Sequence, residues 1–236
     1  MVVTEKRLFN EPTLCSPTKL HQVNSEKGRY YTVDESPVKY YSITTVLSKT
    51  SDNNGLKEWR ERIGDKEADK ISKAATSLGT KLHKLMEHFL DNTWTPNISP
   101  ELNFRFQCIK GFLETNVYEL LGSELPVYSR AMGVAGTIDL VFKNTNGEII
   151  IADLKTAKAP KHSDYYQDYF LQIAAYSLCL YEQYQLVADK GLILFSYPEG
   201  SSPVWFKQTD YCELFCHRLN KFHNVLASQE NKCASL

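Results

Sequence analysis

The sequence predicts a mixed α/β (α+β) fold in which a central mixed sheet is flanked by helices. Two observations support this prediction: the hydrophobic period changes from helical to strand-like after Gly122, and strand-like runs then alternate with helical ones. A length of 236 residues with 42% apolar side chains is enough to bury one large core. We therefore expect one domain with elaborations.

The first half of the chain predicts helices. Residues 1–41 are polar and contain three prolines, which is typical of an N-terminal arm or a short edge hairpin. Apolar residues at helical spacing follow across 42–121. Within this region we expect Gly79 to open a new helix, and 101–121 to form a further amphipathic helix. The region therefore predicts a helical elaboration that precedes the sheet.

The second half predicts strands and helices in alternation. Three strand-like runs come first, and a helix, two strands and a last helix follow them. The predicted bounds are 124–130, 134–143, 148–155, 164–185, 191–197, 203–208 and 210–227. We assign 122–228 to the core and 229–236 to a C-terminal tail.

Composition excludes several classes of protein. No apolar run approaches the roughly 18 residues of a membrane helix, so we expect no contact with a membrane. The first residues lack an apolar signal core, and the six cysteines form no CxxC pair, which together favour a reduced, cytoplasmic compartment. A net charge of −1 leaves any contact with nucleic acid to a local basic patch.

A predicted hairpin places two acids side by side. Asn146-Gly147 lies between two strand-like runs, and glycine supplies the positive φ that a tight connection needs. If the hairpin has a three-residue loop, paired residue numbers add up to 292. Residue 139 then lies opposite residue 153. The carboxylates of Asp139 and Asp153 would share one face, with Cβ atoms about 5 Å apart.

Adjacent carboxylates in a half-buried sheet need a cation, because they repel each other and lose hydration. Strand alternation places Lys155 on the same face as Asp153. A divalent ion, Mg²⁺ or Mn²⁺, also meets the need, since it prefers oxygen ligands and retains waters that can attack a substrate. Lys155 would then hold or deprotonate that water, or stabilise a phosphate. In the alternative, Asp139 caps its strand and Asp153 only forms a structural ion pair.

Three segments in order resemble the RecB-type branch of the PD-(D/E)XK nuclease superfamily. They are GTIDL at 136–140, IADLKT at 151–156 and QIAAY at 172–176. The upstream segment GTKLH, which ends at His83, resembles the His motif of that branch. The resemblance spans 42–227 and is greatest to the mitochondrial genome maintenance exonucleases and related phage and bacterial exonucleases. Because no transit peptide is evident, we expect a bacterial or phage-infected cell.

The resemblance implies a role for each motif residue. It makes Asp139 and Asp153 metal ligands, Lys155 the catalytic lysine and His83 a further metal ligand or an organiser of the site. The implied cofactor is Mg²⁺ or Mn²⁺. An iron–sulfur cluster is not expected, because the close cysteine set of the cluster-bearing members is missing.

Four further residues are candidates for the same site. Glu124 occupies the place of an acid on the first core strand of the family, and Glu87 follows His83 by one helical turn. Gln172 and Tyr176 share a helix face, from which either would orient the water or hold a phosphate. Alternatives remain for several of these residues: His83 could simply pack in its helix, Glu87 could be a solvent-side acid, and Gln172 and Tyr176 could only join helix to sheet.

The resemblance implies an exonuclease that degrades linear single-stranded DNA from a free end, in replication, repair or recombination. In similar exonucleases a helical arch before the core lets a strand end thread through, and residues 42–92 are the candidate arch. Nine basic against six acidic residues between Lys49 and Lys84 leave a surplus that would guide DNA, or would only solvate a helix face. The expected DNA-binding residues are Arg60, Lys73, Lys81, Lys158 and Lys161.

Two other functions remain open from the sequence. The first is a duplex-end recombination exonuclease, or an endonuclease, on the same core. The second is a DNA-binding subunit without catalytic activity. In each case the expected partner is DNA, and we expect the protein to be a monomer.

Overall fold

A computed structural model describes residues 9–16, 18–25, 28–52, 54–93, 98–159 and 166–234. The strands are β1 (Leu20–Ser25), β2 (Gly28–Val33), β3 (Lys39–Ser42), β4 (Glu119–Ser129), β5 (Val134–Lys143), β6 (Ile149–Thr156), β7 (Lys190–Tyr197) and β8 (Gly200–Phe206). The helices are α1 (Ile43–Thr50), α2 (Asn54–Ile63), α3 (Asp65–Leu90), α4 (Pro100–Asn116), α5 (Gln167–Tyr184) and α6 (Cys212–Ala234). Within these ranges no helix is long and apolar enough to cross a membrane.

The strands form one mixed sheet, which confirms the predicted fold class. Its order is β1-β2-β3-β5-β6-β7-β8, with β4 paired to β5 outside this path. The β3–β5 and β6–β7 pairs are parallel, and the other pairs are antiparallel. Helices cover both faces, because the central strands are apolar on both sides.

Side chains of β6 alternate between two hydrophobic cores. Ile151 packs in the core that includes α1, α5 and α6, whereas Ile150 packs in the core that includes α3 and α4. Both side chains are fully buried, and each such burial stabilises the fold by about 1.5–3 kcal/mol. The continuous apolar run of β6 therefore reflects a central strand with a helix layer on each side.

The predicted hairpin register is confirmed between β5 and β6. Leu140 pairs with Ala152 and Lys143 pairs with Ile149, which are the pairs that the three-residue loop requires. Gly147 has a φ of 79°, and its N–H donates to the carbonyl of Asn144 at 3.0 Å. The turn chemistry in the sequence was therefore enough to set this register.

Some predicted element bounds differ from the structure. The prediction that Gly79 opens a helix was wrong, because α3 runs through it without a break. The break falls at Gly64 instead, whose φ of 81° only glycine adopts easily. Residues of the N-terminal arm form β1, β2 and most of β3, so the edge hairpin is the alternative that the structure shows. The last helix extends to Ala234, beyond the predicted 227, and so includes part of the expected tail.

Arg218 joins three helices on the α5 side of the sheet. Its guanidinium donates to the carbonyl of Leu47 at 2.7 Å and to Thr50 Oγ1 at 2.7 Å, at the end of α1. It also forms an ion pair with Asp168 of α5 at 3.1 Å. One α6 side chain therefore satisfies polar groups of two other helices.

We expect Arg218→Met to lower the free energy of unfolding by about 2–3 kcal/mol, because it removes the ion pair of the half-buried Asp168 and two hydrogen bonds at the end of α1. Urea unfolding measures this loss. Arg62→Met, at an exposed position of α2, is the matched control and should change stability by less than about 0.5 kcal/mol. Equal effects of the two substitutions would contradict the assigned role of Arg218.

Candidate active site

Strand β5 changes partners along one of its edges. β4 pairs with β5 along its whole length, so β3 and β6 share the opposite edge. β3 pairs at 134–135, and β6 pairs from Leu140 onward. In the described sheet, residues 136–139 therefore lie at a fork between the two partners. Asp139 bridges part of this gap, because its Oδ2 accepts the backbone N–H of Leu154 at 2.8 Å.

Three side chains from different elements converge at the fork. His83 comes from α3, Glu124 from β4 and Asp139 from β5. His83 Nδ1 lies 3.4 Å from Asp139 Oδ2 and 3.9 Å from Glu124 Oε1. One potential ligand atom from each residue lies within 4.8 Å of the others. The structure thus brings together His83, Asp139 and Glu124.

Glu124 reaches this group from a strained backbone position. It follows Ser123, which pairs with Leu140, and precedes Leu125, which pairs with Ile138, so Glu124 lies across from Asp139. Its φ of 45° is in the left-handed region. A non-glycine residue there costs on the order of 1–2 kcal/mol, and such strain occurs most often at functional sites.

The orientation of the His83 ring follows from one hydrogen bond. His83 Nε2 lies 2.9 Å from the carbonyl oxygen of Leu154, which can only accept, so Nε2 carries a proton. Nδ1 therefore faces the two carboxylates. Burial alone would lower the pKa of His83, but hydrogen bonds to Asp139 and Glu124 outweigh it and raise the pKa to about 10. The two acids thus hold a positive charge at Nδ1 when only a proton is present.

Asp153 and Lys155 form an ion pair on the α5 side of β6. Lys155 Nζ lies 2.5 Å from Asp153 Oδ2, and Gln172 Nε2 donates to Asp153 Oδ1 at 2.9 Å. Burial raises the pKa of Asp153 to about 6, and the negative charge of Asp139 adds to the rise although Lys155 opposes it. Burial would lower the pKa of Lys155, but both aspartates raise it, so the ammonium form is favoured.

Helix α5 places Gln172 and Tyr176 above the strands as the spacing predicts. Gln172 Nε2 also donates to the Tyr176 hydroxyl at 3.0 Å, so both residues belong to one buried network with Asp153. Gly136 makes this approach possible: a Cβ atom at that position would lie 2.8 Å from Tyr176 Cε1. Glycine is therefore needed at the first position of the GTIDL segment, because a larger residue would overlap the Tyr176 ring.

The donor atoms of the site fit a hard divalent cation. The described cluster offers two carboxylates and the Nδ1 atom of His83, whose other nitrogen is held by a backbone carbonyl, as is common for metal-bound histidines. The sequence prediction placed Asp153 in the metal set with His83 and Asp139. Asp153 lies beside this cluster rather than within it, and its buried Oδ2 already has the Lys155 ammonium as a partner at 2.5 Å.

Other predicted site residues lie apart from this cluster. Glu87 follows His83 on α3, but no hydrogen bond or ion pair joins these two described residues. Arg60 forms ion pairs with Asp65 at 2.9 Å and Asp69 at 2.7 Å. The lysines expected to bind DNA at 73, 81 and 158 are exposed, and Lys161 lies outside the described residues.

Residues 102–210 match the sequence family described as the PD-(D/E)XK nuclease superfamily. The match supports a PD-(D/E)XK nuclease domain in this chain. The matched segment is less than half of the chain; it contains Glu124, Asp139, Asp153, Lys155, Gln172 and Tyr176 but not His83. Members of this superfamily use divalent metals, in agreement with the donor atoms described above.

The other comparisons add no functional argument. No match to the sequence is found among curated proteins. Among solved structures, the crystal structure of SSO0001 is similar at 14% identity, with 61% of this chain and 70% of that chain covered and a TM-score of 0.29. With so low a TM-score, we draw neither fold nor function from this likeness.

One neighbour of the site, Tyr169, was not predicted from the sequence. The nitrogen of Lys155 lies over the ring of Tyr169, 5.2 Å from its centroid. Tyr169 precedes Gln172 by three residues and Tyr176 by seven, so the helical spacing that grouped the last two also includes Tyr169. This spacing was the available signal.

We expect His83 to make the stability of the metal-free protein depend on pH. Its folded pKa is above the ordinary 6.5, so its protonated form stabilises the fold fully below pH 6.5, and this contribution is lost as the pH rises toward 10. Urea unfolding in EDTA should show a loss on the order of 1–3 kcal/mol between pH 6 and pH 9. The variant His83→Gln should lack this part of the pH dependence. Equal pH slopes for the two proteins would contradict the prediction.

We expect Gly136→Ala to lower the free energy of unfolding by about 1–3 kcal/mol, because the added methyl group overlaps the Tyr176 ring. Chemical denaturation measures the loss. Gly111→Ala is the control: it lies on α4 with nothing within 4 Å of the added atom and should raise stability by up to about 1 kcal/mol. An unchanged stability of Gly136→Ala would show that Tyr176 does not depend on this space.

Proposed function

We propose that this protein is a metal-dependent DNA exonuclease of the RecB-type branch, which hydrolyses phosphodiester bonds from the free end of linear single-stranded DNA. The process would be replication, repair or recombination in a bacterial or phage-infected cell, and the active form would be a monomer. The PD-(D/E)XK nuclease domain supports the nuclease activity. The observation that carries the proposal is the fork, where a histidine and two acids adjoin the Asp153–Lys155 pair.

In this proposal His83, Glu124, Asp139 and Asp153 hold the metal, with Mg²⁺ or Mn²⁺ as the ion. When bound, such an ion would lower the pKa of a water ligand and offset charge on the phosphate. His83 would bind it through Nδ1, because Nε2 is committed to the Leu154 carbonyl. Metal binding would therefore displace the proton that the two acids otherwise hold on His83.

Lys155 would act on the phosphate or on the attacking water. Its ammonium form is favoured by the aspartates, which supports donation of a hydrogen bond to a phosphate oxygen over removal of a proton. Gln172 of α5 holds the Asp153 carboxylate in place by donating a hydrogen bond to its Oδ1. Tyr176 remains a neutral phenol, because burial and both aspartates raise its pKa well above the ordinary value.

The preference for a single strand with a free end is supported by the helical region before the core. None of the residues of α2 is buried, and in α3 Ala68 is the one buried residue before Leu82. These helices therefore expose most of their surface. The exposed residues include Lys73 and Lys81 of α3, the helix that also carries His83. A free DNA end guided along this basic surface would reach the fork.

The test is digestion of end-labelled DNA with Mg²⁺, Mn²⁺ or EDTA, on linear single-stranded, blunt duplex and circular single-stranded substrates. We expect metal-dependent release of nucleotides from linear single strands, no cutting of circles and no activity in EDTA. Asp139→Ala, Asp153→Ala and Lys155→Met should each reduce the rate at least about 100-fold, because each removes charge that acts on the reacting phosphate.

Lys190→Met is the matched control for these variants. Lys190 forms an ion pair with Glu148 at 2.7 Å at the opposite end of the β6–β7 pair and should leave the rate unchanged. Faster digestion of duplex ends, or cutting of circles, would replace the proposal by a duplex-end exonuclease or an endonuclease. DNA binding without cleavage in any metal, unchanged in Asp153→Ala, would indicate a subunit without catalytic activity.

A further inference from the structure

Tyr169 lies at the first turn of α5, beside the ion pair of Asp153 and Lys155. The Lys155 nitrogen has the Asp153 carboxylate on one side, at 2.5 Å, and the face of the Tyr169 ring on another, 5.2 Å from the ring centroid. A cation in this position is attracted by the electron-rich face of the ring. The ammonium of Lys155 therefore has two partners, the Asp153 carboxylate and the Tyr169 ring, and only Asp153 belongs to the sequence motif.

The ring of Tyr169 is itself held in place by aromatic neighbours. Phe195 of β7 is the register partner of Lys155, so their side chains lie next to each other on the α5 side of the sheet. Tyr169 packs edge-on against Phe195 with ring centroids 6.0 Å apart, and it stacks with Tyr166 at 6.4 Å. Phe195 also stacks with Tyr197 at 5.9 Å. The ring is thus part of a packed aromatic group.

Helix α5 distributes three contacts over the site at helical spacing. Tyr169 contacts Lys155, Gln172 donates to Asp153, and Tyr176 accepts from Gln172 beside Gly136. Lys155 has a long side chain whose nitrogen could otherwise take several positions around Asp153. The side chain of Lys155 is 22% exposed, so it is not enclosed by packing alone.

We propose that Tyr169 is a positioning residue, which holds the Lys155 nitrogen at the fork through the face of its aromatic ring. This inference rests on the proposed nuclease function. The ring, and not the hydroxyl, performs the role, so phenylalanine should replace tyrosine. The role acts through Lys155, so it should disappear when Lys155 is removed.

The test compares single-turnover cleavage of end-labelled linear DNA, with saturating enzyme, by a set of variants. Tyr169→Leu should slow the rate about tenfold, the order of change expected when one cation–π contact is lost. Tyr169→Phe should stay within about twofold of the wild type. Tyr181→Leu, at an exposed tyrosine of the same helix, is the matched control and should have no effect.

A double-mutant cycle separates positioning from a general effect on folding. In the Lys155→Met background, Tyr169→Leu should cause no further loss of rate, because the residue through which it acts is absent. An equal loss in both backgrounds would overturn the proposal, and so would a Tyr169→Phe variant as slow as Tyr169→Leu. A Tyr169→Leu variant as fast as the wild type would also overturn it.

A spectroscopic measurement keeps the inference separate from the nuclease function. The NMR signal of the Lys155 ε-methylene, identified by its absence in Lys155→Met, should shift in Tyr169→Leu and stay in place in Tyr169→Phe, because it lies near the aromatic ring. An unshifted signal in Tyr169→Leu would refute the contact whether or not DNA is cleaved. If the signal shifts but no variant or wild-type protein cleaves DNA, the nuclease proposal fails and the positioning of Lys155 by Tyr169 stands.

Discussion

Two buried carboxylates govern the architecture of this site. Asp139 and Asp153 are 7% and 2% exposed, and burying a carboxylate without partners would cost several kcal/mol. The surrounding chain compensates both: a backbone N–H and His83 face Asp139, and an ammonium and the Gln172 amide face Asp153. The network therefore explains why α3, β6 and α5 meet at one point.

The fork in the sheet gives these carboxylates their position. A strand paired along both edges uses its backbone hydrogen-bonding groups within the sheet, whereas β5 changes partners between 135 and 140 on one edge, where Asp139 Oδ2 accepts the backbone N–H of Leu154 instead. The strained backbone of Glu124 lies across from the same gap. The irregular pairing thus concentrates acids where backbone hydrogen bonds are incomplete, and the proposed metal site is a consequence of that pairing.

The helices on the two faces of the sheet contribute different side chains to the site. α3 brings His83, whose ring is oriented by the carbonyl of Leu154, while α5 supplies Gln172, Tyr176 and the ring of Tyr169. The first helix thus contributes a donor to the proposed metal site, and the second restrains the ion pair beside it. The match to the nuclease superfamily includes the second set of residues but not His83.

The sequence by itself determined what depends on local chemistry. The Asn146-Gly147 turn set the β5–β6 register, the apolar period set the fold class, and the spacing of Gln172 and Tyr176 set their common helix face. Only the tertiary structure decided that Glu124, rather than Asp153, lies within reach of both His83 and Asp139. That grouping depends on the fork and on a left-handed residue, which arise from contacts among strands far apart in the chain and leave no local period in the sequence.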